Sequence, residues 1–371
     1  MSEDKTPQVP TEEGRSQDPW GAGEPALTPR GTPSRPPLAP RDGDEIHAFP
    51  ETAVGEGDVR TAGAGAETVA GTSLWRDAWR RLLRNKLAVF GLAVVCLIIV
   101  AVLLGPPLIK FATGYQYDTI PKDSKLVQSF PPFTGPDGEF WAAHPMGTDA
   151  AGRDMLARVL QGGRISLMVG IISTFVSLLI GITWGATAGY LGGKTDDVMM
   201  RVVDVLYAIP YMMIVIVLLA FFGGQSPLQQ IFLLFAALGA VSWLTMARIV
   251  RGQVISLKNQ EFVMAARAGG VSTPKIIFRH LVPNALGPVI VYATLTIPSV
   301  MLQEAFLSFL GLGVRAPLAS WGSLASEGIR NLAIYPWQMI FPGVTMALAL
   351  FSLNFLGDGL RDALDPQARK F

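Results

Sequence analysis

Long runs without a charged residue constrain this chain more strongly than any other feature of its sequence. A helix needs about 20 mostly apolar residues to cross a bilayer. Each run reaches that length, and the third is long enough for two crossings divided at "FFGGQSPLQQ". No run alternates as barrel strands do, so the sequence predicts an all-α membrane protein with six transmembrane helices. The runs are Leu87–Ile109, Ile165–Gly193, Val205–Ala247, Leu281–Gln303 and Asn331–Gly357.

The composition agrees with a membrane protein and excludes other classes. Charged residues make up 16% of the chain, whereas soluble globular chains carry about 25%. The net charge of +1 gives no electrostatic reason to expect binding to nucleic acid. Cys96 is the one cysteine and lies in the first run, so an intrachain disulfide and a cysteine-based zinc cluster are excluded.

Residues 1–73 differ in composition from everything that follows. They are rich in Pro, Gly, Thr, Asp and Glu and contain no long apolar run. Such a segment buries too little apolar surface to offset its ordering entropy, so the sequence predicts a disordered tail. A signal peptide is not expected, because the first apolar run begins only near Leu87. The tail could be a tether, a regulatory arm or a dispensable extension.

The distribution of Lys and Arg predicts that both termini face the cytoplasm. Basic residues concentrate before the first crossing, after the second, after the fourth and after the sixth, whereas the hairpin after the third has none. The segment after the first crossing is an exception, with several basic residues. The cations on the predicted cytoplasmic side include Arg76, Arg80, Arg81, Arg84, Lys86, Lys194, Arg201, Arg248, Arg251, Lys258, Arg267, Lys275, Arg279 and Arg361.

Several predicted spans contain regularly spaced glycines or prolines, within them or near their ends. Glycines recur every four residues in the second run and share one helix face, which allows another helix to approach closely. That helix could belong to the same chain or to another subunit. The glycines are Gly181, Gly185, Gly189 and Gly193, and the prolines that could kink their helices are Pro210, Pro288, Pro298 and Pro342.

Charged residues lie at two places next to the predicted spans, at the inner end of the third and directly after Gln303 in the fifth. Asp197, Arg201 and Asp204 are spaced i, i+4 and i+7, so we expect them to pair along one helix face. Glu304 is an acid set well inside an apolar stretch, which makes it a candidate for a pathway or a gate. The alternative for Glu304 is structural pairing, since the fifth span could end near it.

The sequence contains no motif that supports catalysis. The stretch "AGYLGGKT" approaches a phosphate-binding loop, but Ala188 occupies the first glycine position and the spacing is wrong. His47, His144 and His280 are scattered and form no metal-binding pattern. We therefore expect no catalytic residue, no metal and no cofactor bound by this chain, and a role as a conduit or an assembly component.

The segment "EFVMAARAGGVSTPKIIFRHLVPN", residues 261–284, interrupts the apolar runs. Its first part, Asn259–Ala268, favours a helix, and two glycines let the chain turn. Ser272 or Thr273 could cap a second short helix that ends by Pro283. The apolar face could dock in a groove of a soluble partner or lie on the membrane. That face comprises Phe262, Ala265, Ala266 and Ile276, the charged rim comprises Glu261, Arg267, Lys275 and Arg279, and Pro274 begins the second helix.

This segment resembles the EAA motif, the signature cytoplasmic loop of ABC importer permeases. The motif runs Glu-Ala-Ala, three residues, Gly, nine residues and Ile-x-Leu-Pro, and the form "RHLVPN" is similar to its peptide/nickel branch. The matches are Ala265, Ala266, Gly270 and Pro283, and the departures are Met264 for Glu, His280 for Ile and Val282 for Leu. The spacing therefore carries the resemblance.

Four further stretches resemble the same branch and occur in the expected order. With the loop they cover about residue 75 to the end, and the chain is identified as a member of the C-type permease subunits of dipeptide and oligopeptide importers. The stretches are "HPMGTDAAGRDMLARVLQGGRISL" at 144–167, "DVMMRVVDVLYAIP" at 197–210, "EAFLSFLGLGVRAPLASWG" at 304–322 and "NFLGDGLRDALDPQ" at 354–367.

The resemblance implies the fold of type I ABC importer permeases. The expected segments are a cytoplasmic tail at 1–73, an N-terminal segment with the first helix at 74–110, an extracytoplasmic segment at 111–163, a core at 164–360 with a coupling loop at about 257–283, and a cytoplasmic C-terminal tail at 361–371.

The resemblance also implies partners and a mechanism in a bacterial inner membrane. We expect a homologous B-type permease, two ATPase domains on other chains that use ATP and Mg²⁺, an extracytoplasmic substrate-binding protein and a peptide substrate. Transport of nickel chelates, glutathione or oligosaccharides, or a sensor without transport, remain alternatives. The expected contacts of the coupling loop with an ATPase are Glu261, Phe262, Ala265, Ala266, Arg267, Gly270, Pro274 and Pro283.

Overall fold

The computed structural model describes residues 74–222 and 226–364. The predicted tail at 1–73 and the end of the predicted C-terminal tail lie outside these ranges. Within them the chain is helical, with two isolated β-bridges and no strand. The helices are α1 (Leu74–Leu82), α2 (Lys86–Thr113), α3 (Met155–Leu191), α4 (Gly193–Ala208), α5 (Tyr211–Phe222), α6 (Pro227–Leu257), α7 (Glu261–Ala268), α8 (Thr273–Lys275), α9 (Val282–Phe309), α10 (Trp321–Ile329) and α11 (Trp337–Leu364), and a π-helical turn (Ile276–Leu281) joins α8 to α9.

Five continuous helices are long and apolar enough to cross a membrane, namely α2, α3, α6, α11 and the helix that runs from α8 through α9. The α4–α5 pair counts as a sixth span only if its two helices are taken together, and they meet at an angle of 77°. The predicted all-α class is confirmed. The predicted third span begins at Val205, within α4, and it bends at Pro210, one of the prolines expected to kink its helix.

Pro210 explains the break between α4 and α5. Proline has no N–H to donate within a helix, and it forces the residue before it out of helical conformation. Ile209 accordingly has an extended backbone, with φ −84° and ψ 130°. The other three flagged prolines, Pro288, Pro298 and Pro342, lie inside α9 and α11 without ending them.

The α3 and α6 helices pack closely along the predicted glycine face. A Cβ at Gly181 would lie 2.6 Å from the Met246 Cβ, and one at Gly185 would collide with the Ala247 carbonyl oxygen. A Cβ at Gly189 would also come within 2.9 Å of the α6 backbone. The helix that contacts these glycines therefore belongs to the same chain.

Gly193 does not share that face. It is the first residue of α4 and directly follows Gly192, and the φ values of Gly192 and Gly193 are +65° and +54°. A Cβ at Gly193 would meet no atom within 4 Å. Its inclusion in the packing face is therefore wrong, because α3 ends before it.

Ion pairs join α4 to α6 rather than running along α4. Arg251 binds Asp196 through two bonds of 2.6 and 2.7 Å. Arg248 donates to the Asp204 carboxylate at 2.7 Å. The predicted pairing of Asp204 with Arg201 is wrong, because Asp204 lies within reach of the cation on the neighbouring helix.

The segment between α2 and α3 is anchored to the start of α11. The Trp337 indole and the Gln338 amide both donate to the Thr148 carbonyl, each at 3.2 Å. In α10, the buried Trp321 donates its indole N–H to the Val159 carbonyl of α3 at 2.8 Å. These contacts hold the segment between α2 and α3, α10 and the start of α11 together at one end of the bundle. The α1 and α7 helices lie at the opposite end.

Candidate functional site

A groove of about 360 Å³ lies between the α4–α5 break, α6 and α9. None of its described lining residues is charged. It is open on one side, since Tyr207 and Tyr211 are 50% and 43% exposed. Its polar lining residues are Tyr207 and Tyr211 beside the break, Ser242 and Thr245 on α6, and Tyr292, Thr296, Ser299 and Gln303 on α9.

The hydroxyl groups of the groove are arranged to accept hydrogen bonds. Ser242, Thr296 and Ser299 each donate to the carbonyl four residues earlier, at 2.8, 2.8 and 3.2 Å. Their oxygens retain lone pairs, while Gln303 and the tyrosines can both donate and accept. The groove therefore suits an uncharged ligand surface that carries both amide donors and carbonyl acceptors.

A charged pair outside the groove holds one of its tyrosines. The Tyr207 hydroxyl lies 3.2 Å from the Thr245 hydroxyl. The Arg248 guanidinium lies 4.3 Å from the centre of the Tyr207 ring and pairs with Asp204. A cation over an aromatic ring is attracted to it, so this pair favours one position of the Tyr207 ring.

The sequence predictions missed this groove. Tyr292, Thr296, Ser299 and Gln303 are spaced i, i+4, i+7 and i+11, so they share one face of α9. A polar face within an apolar span was the signal that could have found them. The acid chosen instead, Glu304, is the next residue but is not among those that line the groove.

Glu304 lies buried between α9 and α10, with 1% of its surface exposed. Its Oε1 accepts hydrogen bonds from Ser308 at 2.8 Å and from Ser320 at 2.6 Å. Ser320 caps the start of α10. The geometry thus gives Glu304 a role in fixing α10 to α9, which favours structural pairing over the pathway or gate.

The predicted loop begins with α7, and the predicted bend at its glycines is present. The Val271 N–H donates to the Ala266 carbonyl at 3.1 Å, and the Gly270 N–H to the Arg267 carbonyl at 3.0 Å. These two bonds form a Schellman motif, which needs a left-handed residue at the helix end. Gly270 supplies it with φ +74°.

The predicted second helix does not end by Pro283. Residues 273–309 form one continuous helix, with Pro274 in its first turn. In a regular α-helix the Pro283 ring would clash with the carbonyl four residues earlier, and the wider π-turn at Ile276–Leu281 relieves that clash. The predicted end is therefore wrong, and the turn after α7 leads directly into the helix that lines the groove.

Three apolar side chains of this loop are exposed, and we refer to them together as the apolar patch. Phe262, Met264 and Phe278 are 38%, 52% and 49% exposed. The prediction that Ile276 shares this surface is wrong, because it is 1% exposed and packs with the buried Val263 in a core cluster.

The remaining predicted contact residues lie mostly at the surface. Ala266 is half-buried, and Arg267 reaches the Tyr190 hydroxyl of α3 at 3.5 Å. This contact ties α7 to α3. The exposed ones are Glu261, Ala265, Arg267, Gly270, Pro274 and Pro283.

Comparison with known proteins places these features in a family. The family described as "Binding-protein-dependent transport system inner membrane component" matches residues 181–370. The family described as "N-terminal TM domain of oligopeptide transport permease C" matches residues 73–132. The first match contains the groove and the whole loop.

Individual relatives extend the match over most of the chain. The oligopeptide transport system permease protein OppC of Escherichia coli K12 is 51% identical over 301 residues, covering 81% of this chain and 94% of that protein. The dipeptide transport system permease protein DppC of Bacillus subtilis 168 is 42% identical over 299 residues, covering 80% and 87%. The chain belongs to the C-type permeases of ABC importers.

The permease is therefore a multi-pass membrane protein and a component of an ABC transport system, not an enzyme. The resemblance stated from its sequence motifs is confirmed. Among solved structures, an inward-facing MetNI methionine ABC transporter is similar with a TM-score of 0.47 and 19% identity, covering 57% of this chain and 98% of that chain.

Proposed function

We propose that the permease forms half of a translocation pathway for oligopeptides or dipeptides, with the groove as its wall. The observation that carries the proposal is the uncharged, hydrogen-bonding lining of the groove. Peptides differ in side-chain charge but share a backbone of amide donors and carbonyl acceptors. A neutral polar wall binds that shared backbone without selecting one side-chain charge. Relatives named as oligopeptide and dipeptide permeases support this substrate class.

The proposed machine contains a homologous B-type permease, two ATPase domains and an extracytoplasmic substrate-binding protein. The ATPases use ATP and Mg²⁺, and this chain binds no cofactor of its own. The apolar patch docks on one ATPase. Because α7 turns directly into the helix that carries Thr296, movement of α7 reaches the groove and drives alternating access by rigid-body motion.

The proposed location is a bacterial inner membrane, with both termini in the cytoplasm. Ala78 and Leu82 of α1 pack with Ala363 of α11, so the two described ends lie at one end of the bundle. The basic residues near α1, α7 and the end of α11 support a cytoplasmic position for that end.

Uptake in cells tests the substrate class. Labelled oligopeptide and labelled nickel would be supplied in parallel to cells with and without this gene. We expect loss of peptide uptake alone, restored by the intact gene. Unchanged peptide uptake with loss of nickel uptake would contradict the peptide proposal and favour a nickel importer.

A negative charge in the groove should separate peptides by their charge. We expect Thr296→Asp to lower uptake of acidic peptides about tenfold relative to basic ones, because unit charges a few ångströms apart interact by about 1–4 kcal/mol at a protein surface. In the Thr296→Asn variant the new side chain has the shape of aspartate but no charge. We therefore expect this variant to take up acidic and basic peptides equally. Equal uptake of both peptides by the Asp variant would show that Thr296 does not line the pathway.

The left-handed turn after α7 should matter for transport. A Cβ at Gly270 meets no atom within 4 Å, so substitutions there test backbone strain rather than crowding. Val at φ +74° is strained by about 1–2 kcal/mol, whereas Asn tolerates this conformation. We expect severalfold lower peptide uptake with Gly270→Val than with Gly270→Asn at matched expression. Equal uptake by the two variants would show that transport does not require the left-handed turn at Gly270.

A further inference from the structure

The first helix, α1, and the short turn after it present a basic and aromatic surface just before the first membrane crossing. Arg76, Arg80 and Arg84 are exposed and are spaced four residues apart. Trp79 and Leu83 are also exposed, at 53% and 50%. A helix with arginines beside an exposed tryptophan and leucine is typical of one that lies in the membrane interface.

The rest of the protein fixes the orientation of this surface. On the opposite side of α1, Ala78 and Leu82 are buried against the end of α11, in a cluster with Ala363. The Asn85 side chain caps the start of α2 by accepting two backbone N–H bonds, at 3.1 and 3.3 Å. The exposed residues of α1 are therefore held beside two membrane-spanning helices.

This surface carries an excess of positive charge. Arg76, Arg80 and Arg84 are exposed, whereas the one acidic residue of α1 is Asp77. The exposed apolar side chains of α1 and of the turn after it are followed by those of α2, where Leu87 and Phe90 are 59% and 52% exposed. The surface is thus continuous with the part of α2 that faces outward from the bundle.

We propose that α1 is a docking surface for anionic lipid headgroups. The arginines bind headgroup phosphates, while Trp79 and Leu83 lie at the boundary between headgroups and acyl chains. Charge complementarity with an anionic leaflet and continuity with the outward face of α2 favour lipid over a soluble protein as the occupant. The lipid would thereby hold α1, and through Ala78 and Leu82 the end of α11, at a fixed depth.

Spin labelling tests the position of α1 in the assembled importer. The permease would carry Cys96→Ser and Trp79→Cys, with a nitroxide at position 79 and no other reactive cysteine in the complex. In nanodiscs of phosphatidylcholine and phosphatidylglycerol, we expect the label to be more accessible to oxygen than to a water-soluble nickel chelate. A label reached mainly by the chelate, or by neither reagent because a protein covers it, would overturn the proposal.

A pair of charge variants tests the lipid preference. We expect Arg80→Gln with Arg84→Gln to lower the preference for spin-labelled phosphatidylglycerol over phosphatidylcholine about tenfold. Lys194→Gln with Arg201→Gln removes the same charge from exposed positions on α4 and should keep the preference. An unchanged preference in the α1 variant, or an equal loss in both variants, would overturn the proposal.

Discussion

Replacing both Phe262 and Phe278 with aspartate should abolish ATP-driven transport and leave the permease assembled in the membrane. Both side chains are partly exposed, so the change does not open the core. Burying a phenylalanine contributes about 1.5–3 kcal/mol, and burying an unpaired carboxylate adds a further cost. Together these effects predict that the loop docks on the ATPase at least about a hundredfold more weakly. Peptide uptake and ATPase activity of the purified complex would measure it.

Two controls separate docking from folding and from charge alone. Leucine at both positions keeps an apolar surface and should retain most transport. Ser256→Asp places a carboxylate at an exposed position on α6, outside the apolar patch, and should have little effect. Normal transport by the double aspartate variant would contradict docking through Phe262 and Phe278.

Replacing Gly185 with valine should prevent stable folding of the permease. The added Cβ would collide with the Ala247 carbonyl oxygen, which belongs to the backbone and cannot rotate away. Overpacking of a well-packed interior costs about 1–3 kcal/mol, and a backbone collision is at the upper end. We expect a large loss of thermal stability and of membrane abundance, measured by thermal unfolding in detergent and by immunoblot.

Gly252→Val is the matched control for this effect. Gly252 lies on α6, but a Cβ there would meet no atom within 4 Å. The control should therefore fold normally, despite having the same change in helix propensity. Equal stability of the two variants would mean that α3 and α6 do not approach as closely as the structure indicates.

The sequence predicts the helical class and the spans because lipid imposes a hydropathy pattern that is readable locally. It does not predict the groove, because helix pairing leaves no such pattern. The run from Val205 has the same hydropathy whether it is straight or broken, and only Pro210 signals the 77° bend. The sequence also does not show that Gly185 contacts α6, because a small residue allows close approach of any helix, whether from the same chain or from another subunit.

The two errors in the loop have separate physical causes. Ile276 was assigned to the face of Phe262 by local pattern, but the left-handed turn at Gly270 redirects the chain between them. The π-turn then lets the helix continue past Pro283, where regular α-helical geometry would end it. The bend itself was predictable, because two adjacent glycines favour a helix end.

The central claim is that this permease conducts peptides when an ATPase moves its α7 loop. The most direct test is ATP-driven uptake of a labelled oligopeptide into proteoliposomes that contain the permease, its partner subunits and the substrate-binding protein. We predict accumulation that requires ATP and is lost when Phe262 and Phe278 are both replaced by aspartate. Peptide accumulation that survives this replacement, or accumulation of a nickel chelate without peptide, would contradict the claim.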